Sequence, residues 1–305
     1  MTIARKVRAY FAPVERTSNT PTVFDPAKDF DLENPPAPWM AAGEVREFKR
    51  EPATKFGAMT SGLKGAASGQ FRAGMEARIS FNFCAWGKLR MAIAGGSQHM
   101  NVLSEDGNAT GAASGGAALA PVAVLAGSSE TELILGVGAV DALNDGDMVA
   151  VDVDYAQETG YIGAPIAAAY VKDPADVKRD RDYLRRVSFN VAKVREKTAT
   201  SLLLETPLAG GAPVTGASVQ KVVGFVDRES GSFFQEWSGV FVIEAEEGGR
   251  VCFYYPRLQA CAPGAEREFA LDNFSMHTLH AECVALPVKD ELDGETVVCF
   301  RSWLP

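Results

Sequence analysis

The 305-residue chain is 47% hydrophobic and 23% charged, with a mean hydropathy of −0.04, which excludes a disordered segment, a collagen-like repeat and a disulfide-stapled miniprotein. Thirty Lys and Arg against 39 Asp and Glu leave a net charge of −9, so a generally basic nucleic-acid-binding surface is excluded as well. The length allows about two domains, or one large all-β body with an insertion. At the amino terminus, Arg5, Lys6 and Arg8 stand where a signal peptide needs its apolar run, and no later stretch approaches the roughly 18 apolar residues of a membrane span. The expectation is a protein made in the cytoplasm, and without a secretory route the sequon Asn108-Ala-Thr110 has no weight.

Taken in chain order, residues 17 to 43 read as an extended arm, because Pro21, Pro26, Pro35, Pro36 and Pro38 repeatedly remove backbone donors. A Gly-rich turn region and a strand over Ala77–Phe83 follow. Helix is expected at Gly87–Met100, where Leu89, Ile93 and Met100 share a face, and in the charged run Ala175–Arg186. Residues 104 to 121 are dominated by Gly, Ala, Ser and Asn, in the manner of a connector or exposed loop. Strands are expected at Val149–Tyr155, Ser201–Glu205, Val219–Asp227, Gly239–Glu244, Val251–Tyr255 and Thr296–Phe300. The first is half-buried by its pattern, with Val149, Val151, Val153 and Tyr155 on one face and Asp152 and Asp154 on the other. Near Leu208–Gly216 lies either a hairpin tip or the end of an inserted module.

No catalytic constellation stands out. Gly136-Val-Gly138 lacks the third glycine of a dinucleotide fingerprint, since position 141 is Asp, and no glycine-rich run ends in Gly-Lys-Ser or Gly-Lys-Thr. The five cysteines (Cys84, Cys252, Cys261, Cys283, Cys299) contain no C-x-x-C pair and read as buried free thiols. His277 and His280 lie close to Glu282 and Cys283, a metal-ligating set of residue types. In a strand, however, the odd spacing of the two histidines sends them to opposite faces. No Gly-x-Ser-x-Gly elbow appears. The acids Asp145, Asp147, Asp152, Asp154, Glu244, Glu246 and Glu247 do not fit a twelve-residue calcium loop and read as a solvated face. Between Lys172 and Lys197, nine basic residues meet five acids, for an excess of 9 − 5 = +4, and the interspersed acids favour ion pairs over phosphate tracking. No catalytic, cofactor-binding or metal residue is assigned from these patterns.

Three structural stretches carry a resemblance. Pro38-Trp39 leads through Gly43-Glu44-Val45 into Glu47-Phe48-Lys49-Arg50, and then to the strand over Ala77–Phe83. Phe253-Tyr254-Tyr255-Pro256-Arg257-Leu258 is an aromatic strand ending in Pro-Arg, and Ala285-Leu286-Pro287-Val288-Lys289-Asp290 with Asp293-Gly294-Glu295-Thr296-Val297-Val298 is a hairpin-like ending. Over residues 36 to 103 and 228 to 305 the chain resembles phage tail tube proteins and their relatives in phage-derived tubes. The resemblance implies a β-sandwich or barrel with a flanking helix, assembled as a ring, commonly hexameric, with rings stacked into a tube whose lumen passes DNA or another cargo. The residues from about Ser104 to Val226 exceed a minimal tube subunit and read as an inserted, mostly β module.

The expected organisation is therefore an extended N-terminal arm over 1–43, a tail-tube-like β core over 44–103 and 227–305, and an inserted β-rich domain over 104–226. The expected function is a non-enzymatic virion subunit of the phage tail, or of a prophage structure, that self-assembles without a cofactor. Its expected partners are further copies of itself, other tail proteins and DNA that passes without specific binding, with no membrane. A tail terminator or baseplate component is the nearest alternative. A glycan- or ligand-binding module using Trp39, Trp86, Trp237 or Trp303 is the next, and a hydrolase built on a carboxylate or His277 the last.

Overall fold

A computed structural model describes residues 6–14, 20–61, 66–96, 98–104, 119–152, 189–228, 236–244, 248–261, 266–271 and 274–305. The described residues are mainly strand. They form β1 (Val7–Pro13), β2 (Met40–Ser61), β3 (Ala66–Phe83), the helix α1 (Lys88–Gly95), β4 (Gln98–Leu103), β5 (Val122–Ala123), β6 (Glu132–Ile134) and β7 (Met148–Asp152). There follow β8 (Val191–Lys197), β9 (Ser201–Leu204), β10 (Ser218–Arg228), β11 (Glu236–Glu244) and β12 (Arg250–Ala260). The chain ends in β13 (Glu266–Leu271), β14 (Phe274–Ala285), β15 (Val288–Lys289), β16 (Thr296–Val297) and β17 (Phe300–Leu304).

The first sheet closes on itself. Antiparallel pairing runs β14–β3–β2–β1–β11–β12, and β12 returns to β14 through Leu258 opposite Ala285 and Ala260 opposite Cys283, which makes a six-stranded barrel. Closure leaves these six strands without an open edge over the length of the barrel. Alternation sends Ala9, Phe11, Ile79, Phe81, Phe83, Phe241 and Tyr255 inward to a core of stacked and edge-on rings. The helix α1 plugs one end of this core with Ala92, Ile93 and Ala94. It stops where Gly96 turns left-handed (φ 55°), so the helix expected through Met100 is shorter, and residues 98–103 pair with β10 as strand β4.

Two expectations about the amino-terminal region are corrected. Residues 7–13, inside the segment read as an arm, are the buried strand β1 between β2 and β11. Residues 20–39 do not extend away from the body. Phe24, Phe30 and Trp39 pack as a second layer on the outward-facing Tyr10 and Tyr254. Tyr10 donates to the Leu32 carbonyl (2.8 Å), Tyr254 donates to the Thr22 carbonyl (2.8 Å), and the Thr22 amide donates to Ser238 Oγ (2.9 Å). The prolines exclude helix, as expected, while the aromatics between them bury enough apolar surface to hold the segment down.

The second sheet is curved into a half-barrel, in the order β4–β10–β7–β8–β9–β6 with β5 beside β10. Leu125, just after β5, donates to Ile134 of β6 (2.8 Å), which brings the two ends of the sheet together. Its core holds Val124, Leu133, Val149, Val151, Leu202 and Val219. Strand β7 is buried on both faces, because Ala150 packs with Leu103 and Val222 on the side opposite Val149 and Val151. The half-buried pattern therefore does not describe residues 149–151; Val153, Asp154 and Tyr155 lie outside the described residues, as does the helix expected at 175–186. Strand β4, placed by sequence with the first body, belongs to this second sheet. Phe189 against Trp237 (5.4 Å between ring centroids) joins the two bodies.

The largest departure is the stretch read as a Gly-rich turn region. Residues 40–61 and 66–83 form one long hairpin, paired from Val45 opposite Phe83 to Ser61 opposite Ala66. Beyond Pro52 and Ala77 neither strand has another partner among the described residues: β1 pairs with residues 40–45 of β2, and β14 with residues 77–83 of β3. The outer part is a two-stranded ribbon that projects from the barrel end opposite α1.

Candidate functional site

The histidine cluster is the first place to look for chemistry. Residues 274–285 are strand, as the sequence suggested; the side chain of His277 lies outside the described residues. Cys283 points into the barrel core, where burial pushes its thiol well above the ordinary range. His280 faces outward. Its Nδ1 is 2.7 Å from Asn82 Oδ1 and its Nε2 is 3.4 Å from Glu282 Oε1.

Sequence reasoning missed the continuation of this chain of contacts. A bulge in β2 between Arg46 and Lys49 puts Glu47 at φ 54°, a left-handed conformation for a residue with a side chain, and aims its carboxylate at Asn82. Asn82 Nδ2 donates to Glu47 Oε2 (2.7 Å). The result is a hydrogen-bonded series, Glu47–Asn82–His280–Glu282, of which Glu47, His280 and Glu282 line a cleft of about 480 Å³ together with Lys49, Arg78 and Cys261. Both imidazole nitrogens already face oxygen atoms, so the ring has no nitrogen directed at Ser80 or Cys261 as a base. Among the described residues no group of three His, Cys, Asp or Glu side chains converges as a metal site. The only advance signal was the odd histidine spacing; Asn82 and His280 are 198 residues apart.

A larger cleft, about 810 Å³, opens at the base of the ribbon between Arg50, Arg72 and Arg301. Arg50 closes this end of the barrel. Its guanidinium lies 4.6 Å from the Phe253 ring centroid, and its Nε donates to the Tyr255 hydroxyl. Val298, from the segment after β16, completes the plug from the core side.

The other singled-out residues have structural duties where they are described. Asp145 accepts from the Lys197 amide (2.7 Å), and Asp147 accepts from the Asn144 amide and pairs with Lys221 (2.9 Å). Those two acids fix a turn. The side chain of Asp152 and residues Asp154, Glu246 and Glu247 lie outside the described residues, while Glu244 is exposed. Gly136 and Gly138 sit at φ 92° and 79° in the loop after β6. Of the basic stretch, 172–188 lies outside the described residues, Lys193 pairs with Glu205, and Lys197 donates to the Leu143 carbonyl. Trp39 and Trp237 are buried, so as ligand-binding tryptophans they are corrected to core; Trp86 and Trp303 are exposed. Among the described residues no helix is long and apolar enough to cross a membrane.

What the surface does present is apolar. On the ribbon, the outer edge of the Phe71 ring lies over Gly57, where an added Cβ would come within 2.3 Å of it, and the tip of Met59 rests beside Gly69. Phe56 extends on the opposite face of β2. All three large side chains are more than half exposed. No protein-family model matches this chain, and no curated protein matches it at a significant level.

Proposed function

We propose that this protein is a structural subunit whose function resides in assembly: copies associate as rings, and rings stack into a tube of the kind found in phage tails. The observation that carries this reading is the ribbon. An isolated two-stranded hairpin is at best marginal in water, and this one holds two strand edges that are unpaired among the described residues, with three exposed large apolar side chains, away from its own barrel. A closed, helix-plugged barrel supplies the rigid body that such an arm needs. The resemblance to tail tube proteins adds the ring and the lumen. A net charge of −9 suits a conduit that repels the DNA backbone and lets it slide. The reading assigns no cofactor and no reaction; its partners are other copies, neighbouring tail proteins and passing DNA, within a virion tail or a prophage-derived tube.

The test is the assembly state of the purified full chain, by light scattering and negative-stain microscopy over a concentration series. Rings or stacked tubes are expected. A monomer that persists at high concentration overturns the reading. Single rings that never stack point to a terminator or baseplate component.

A further inference from the structure

The cleft at the base of the ribbon gathers three guanidiniums and one carboxylate. Arg50 and Arg72 come from β2 and β3, Arg301 from β17, and Glu295 from the turn before β16. Among the described residues none of the three arginines has an ion-pair partner, in a chain whose acids outnumber its bases by 39 to 30. The cleft at His280 differs: Glu47, Glu51 and Glu282 mix there with Lys49 and Arg78, and Lys49 is paired with Glu51. Arg50 is already held in place. Its Nε donates to the hydroxyl of the fully buried Tyr255, and its guanidinium lies 4.6 Å from the Phe253 ring centroid. Among the described residues its two terminal nitrogens have no hydrogen-bond partner, and neither is sealed from solvent. Phe253 stands opposite Arg301 in the register of β12 and β17, and such opposed residues point to one face, so Arg50 and Arg301 flank the same ring. Burial raises the Cys299 thiol above its ordinary range, and the charges of both arginines act against that rise.

We propose that this cleft binds a small, multiply charged oxyanion, a phosphate ester or a polycarboxylate, with Arg50 as the fixed fork and Arg72 and Arg301 as flanking charges. A guanidinium presents parallel N–H groups that match the oxygen pairs of phosphate and carboxylate alike. Arg50 loses little rotamer freedom on binding, because Tyr255 and Phe253 already fix it. Three gathered cations repel one another in the empty cleft, and an anion relieves that repulsion. The volume of about 810 Å³ falls in the range of small-molecule sites, and Met75 and Val297 offer an apolar wall to the part of a ligand beyond its anionic group. A nucleic-acid strand is a poorer match. A chain of net charge −9 repels a polyanion, and among the described residues no aromatic ring lines the cleft for bases to stack on. The site is built within one subunit, so it stands whether or not copies assemble.

The test is calorimetric titration of the full chain with pyrophosphate, with citrate and with a short oligothymidylate at physiological salt. Saturable binding of a small anion, one per chain, is expected. Pyrophosphate alone identifies a phosphate ester, citrate alone a polycarboxylate, and both together a site that reads charge. Arg72→Gln and Arg301→Gln, at exposed positions, should each weaken binding by roughly tenfold or more, with the thermal midpoint of the free protein unchanged. Glu295→Gln should tighten it. The bound anion should also slow alkylation of Cys299, which lines the cleft, while exposed Cys261 reacts as before. No saturable binding of either small anion at millimolar concentration overturns the proposal. Binding that both arginine variants leave unchanged, or that leaves Cys299 unprotected, places the anion elsewhere and overturns it as well. Tighter binding of the oligothymidylate than of either small anion would replace it with a nucleic-acid contact.

Discussion

The segment 20–39 and the ribbon 53–76 use the same materials, aromatic side chains on irregular or unsupported backbone, to opposite ends. In the first, Phe24, Phe30 and Trp39 lie against Tyr10 and Tyr254, and hydrogen bonds from Tyr10, Tyr254 and Thr22 tie the segment to the barrel. In the second, Phe56, Met59 and Phe71 face solvent on two strand segments that, among the described residues, pair only with each other. The difference is where the partner surface resides. The first segment lies over the outward face of β1, β11 and β12, whereas the second leaves the barrel at its end and, among the described residues, keeps only its base, at Thr54, Arg72 and Met75, beside residues 295–299. Stability should therefore reside in the first segment and association in the second.

Trp39→Ala makes the strongest demand on this contrast. It removes a nearly fully buried ring from between Phe30 and Tyr254 and should cost about 3–5 kcal/mol, read as a large fall in the urea midpoint. A change below about 1 kcal/mol would mean that the segment is a loosely laid arm after all. Ser238→Ala comes next. Its fully buried hydroxyl accepts from the half-buried Thr22 amide and donates to the buried Pro256 carbonyl (2.8 Å), so two backbone groups lose their partner, at about 1–3 kcal/mol. Alkaline titration gives a smaller and graded effect. Burial raises the Tyr10 and Tyr254 hydroxyls above their ordinary value of 10. A raised value means that the folded state holds these protons more tightly than the unfolded state. The contribution is thus complete below pH 10 and declines as pH climbs above it, by up to about 1.4 kcal/mol per pH unit for each tyrosine. A flat stability profile between pH 9 and 11 would show that neither hydroxyl is held in the clamp.

The two regions also differ in how far they were legible. Strands β7, β9, β10 and β12 announce themselves through runs of Val, Leu, Phe and Tyr between turn residues, and the barrel core follows from their alternation. The ribbon does not. Pro52 and glycines at 57, 69 and 74 read as turn punctuation, although an added Cβ at Gly57 would displace the Phe71 ring. Prolines dominate the reading of residues 20–39, and nothing local reveals that Phe24 and Trp39 meet Tyr254 more than 200 residues later. The cleft was half legible: strand spacing separates His277 from His280, but the bulge that turns Glu47 toward Asn82 has no signature in the sequence.

The smallest expected effect on stability, and the most discriminating one, belongs to the ribbon. Phe71→Ser removes a half-exposed ring that lies against Gly57, so the isolated subunit should keep its thermal midpoint, with a cost within about 0.5 kcal/mol. If the ring is an assembly contact, the same change should shift sedimentation toward the monomer, because a hot-spot aromatic is worth about 2 kcal/mol or more per contact and the loss repeats at every joint. The two readouts separate the roles. A lowered midpoint with unchanged assembly would mean that Phe71 only shields the backbone at Gly57, and the ribbon would then belong to the same self-satisfied class as the segment 20–39. An unchanged midpoint with lost assembly would place the ring where a second copy is required to bury it.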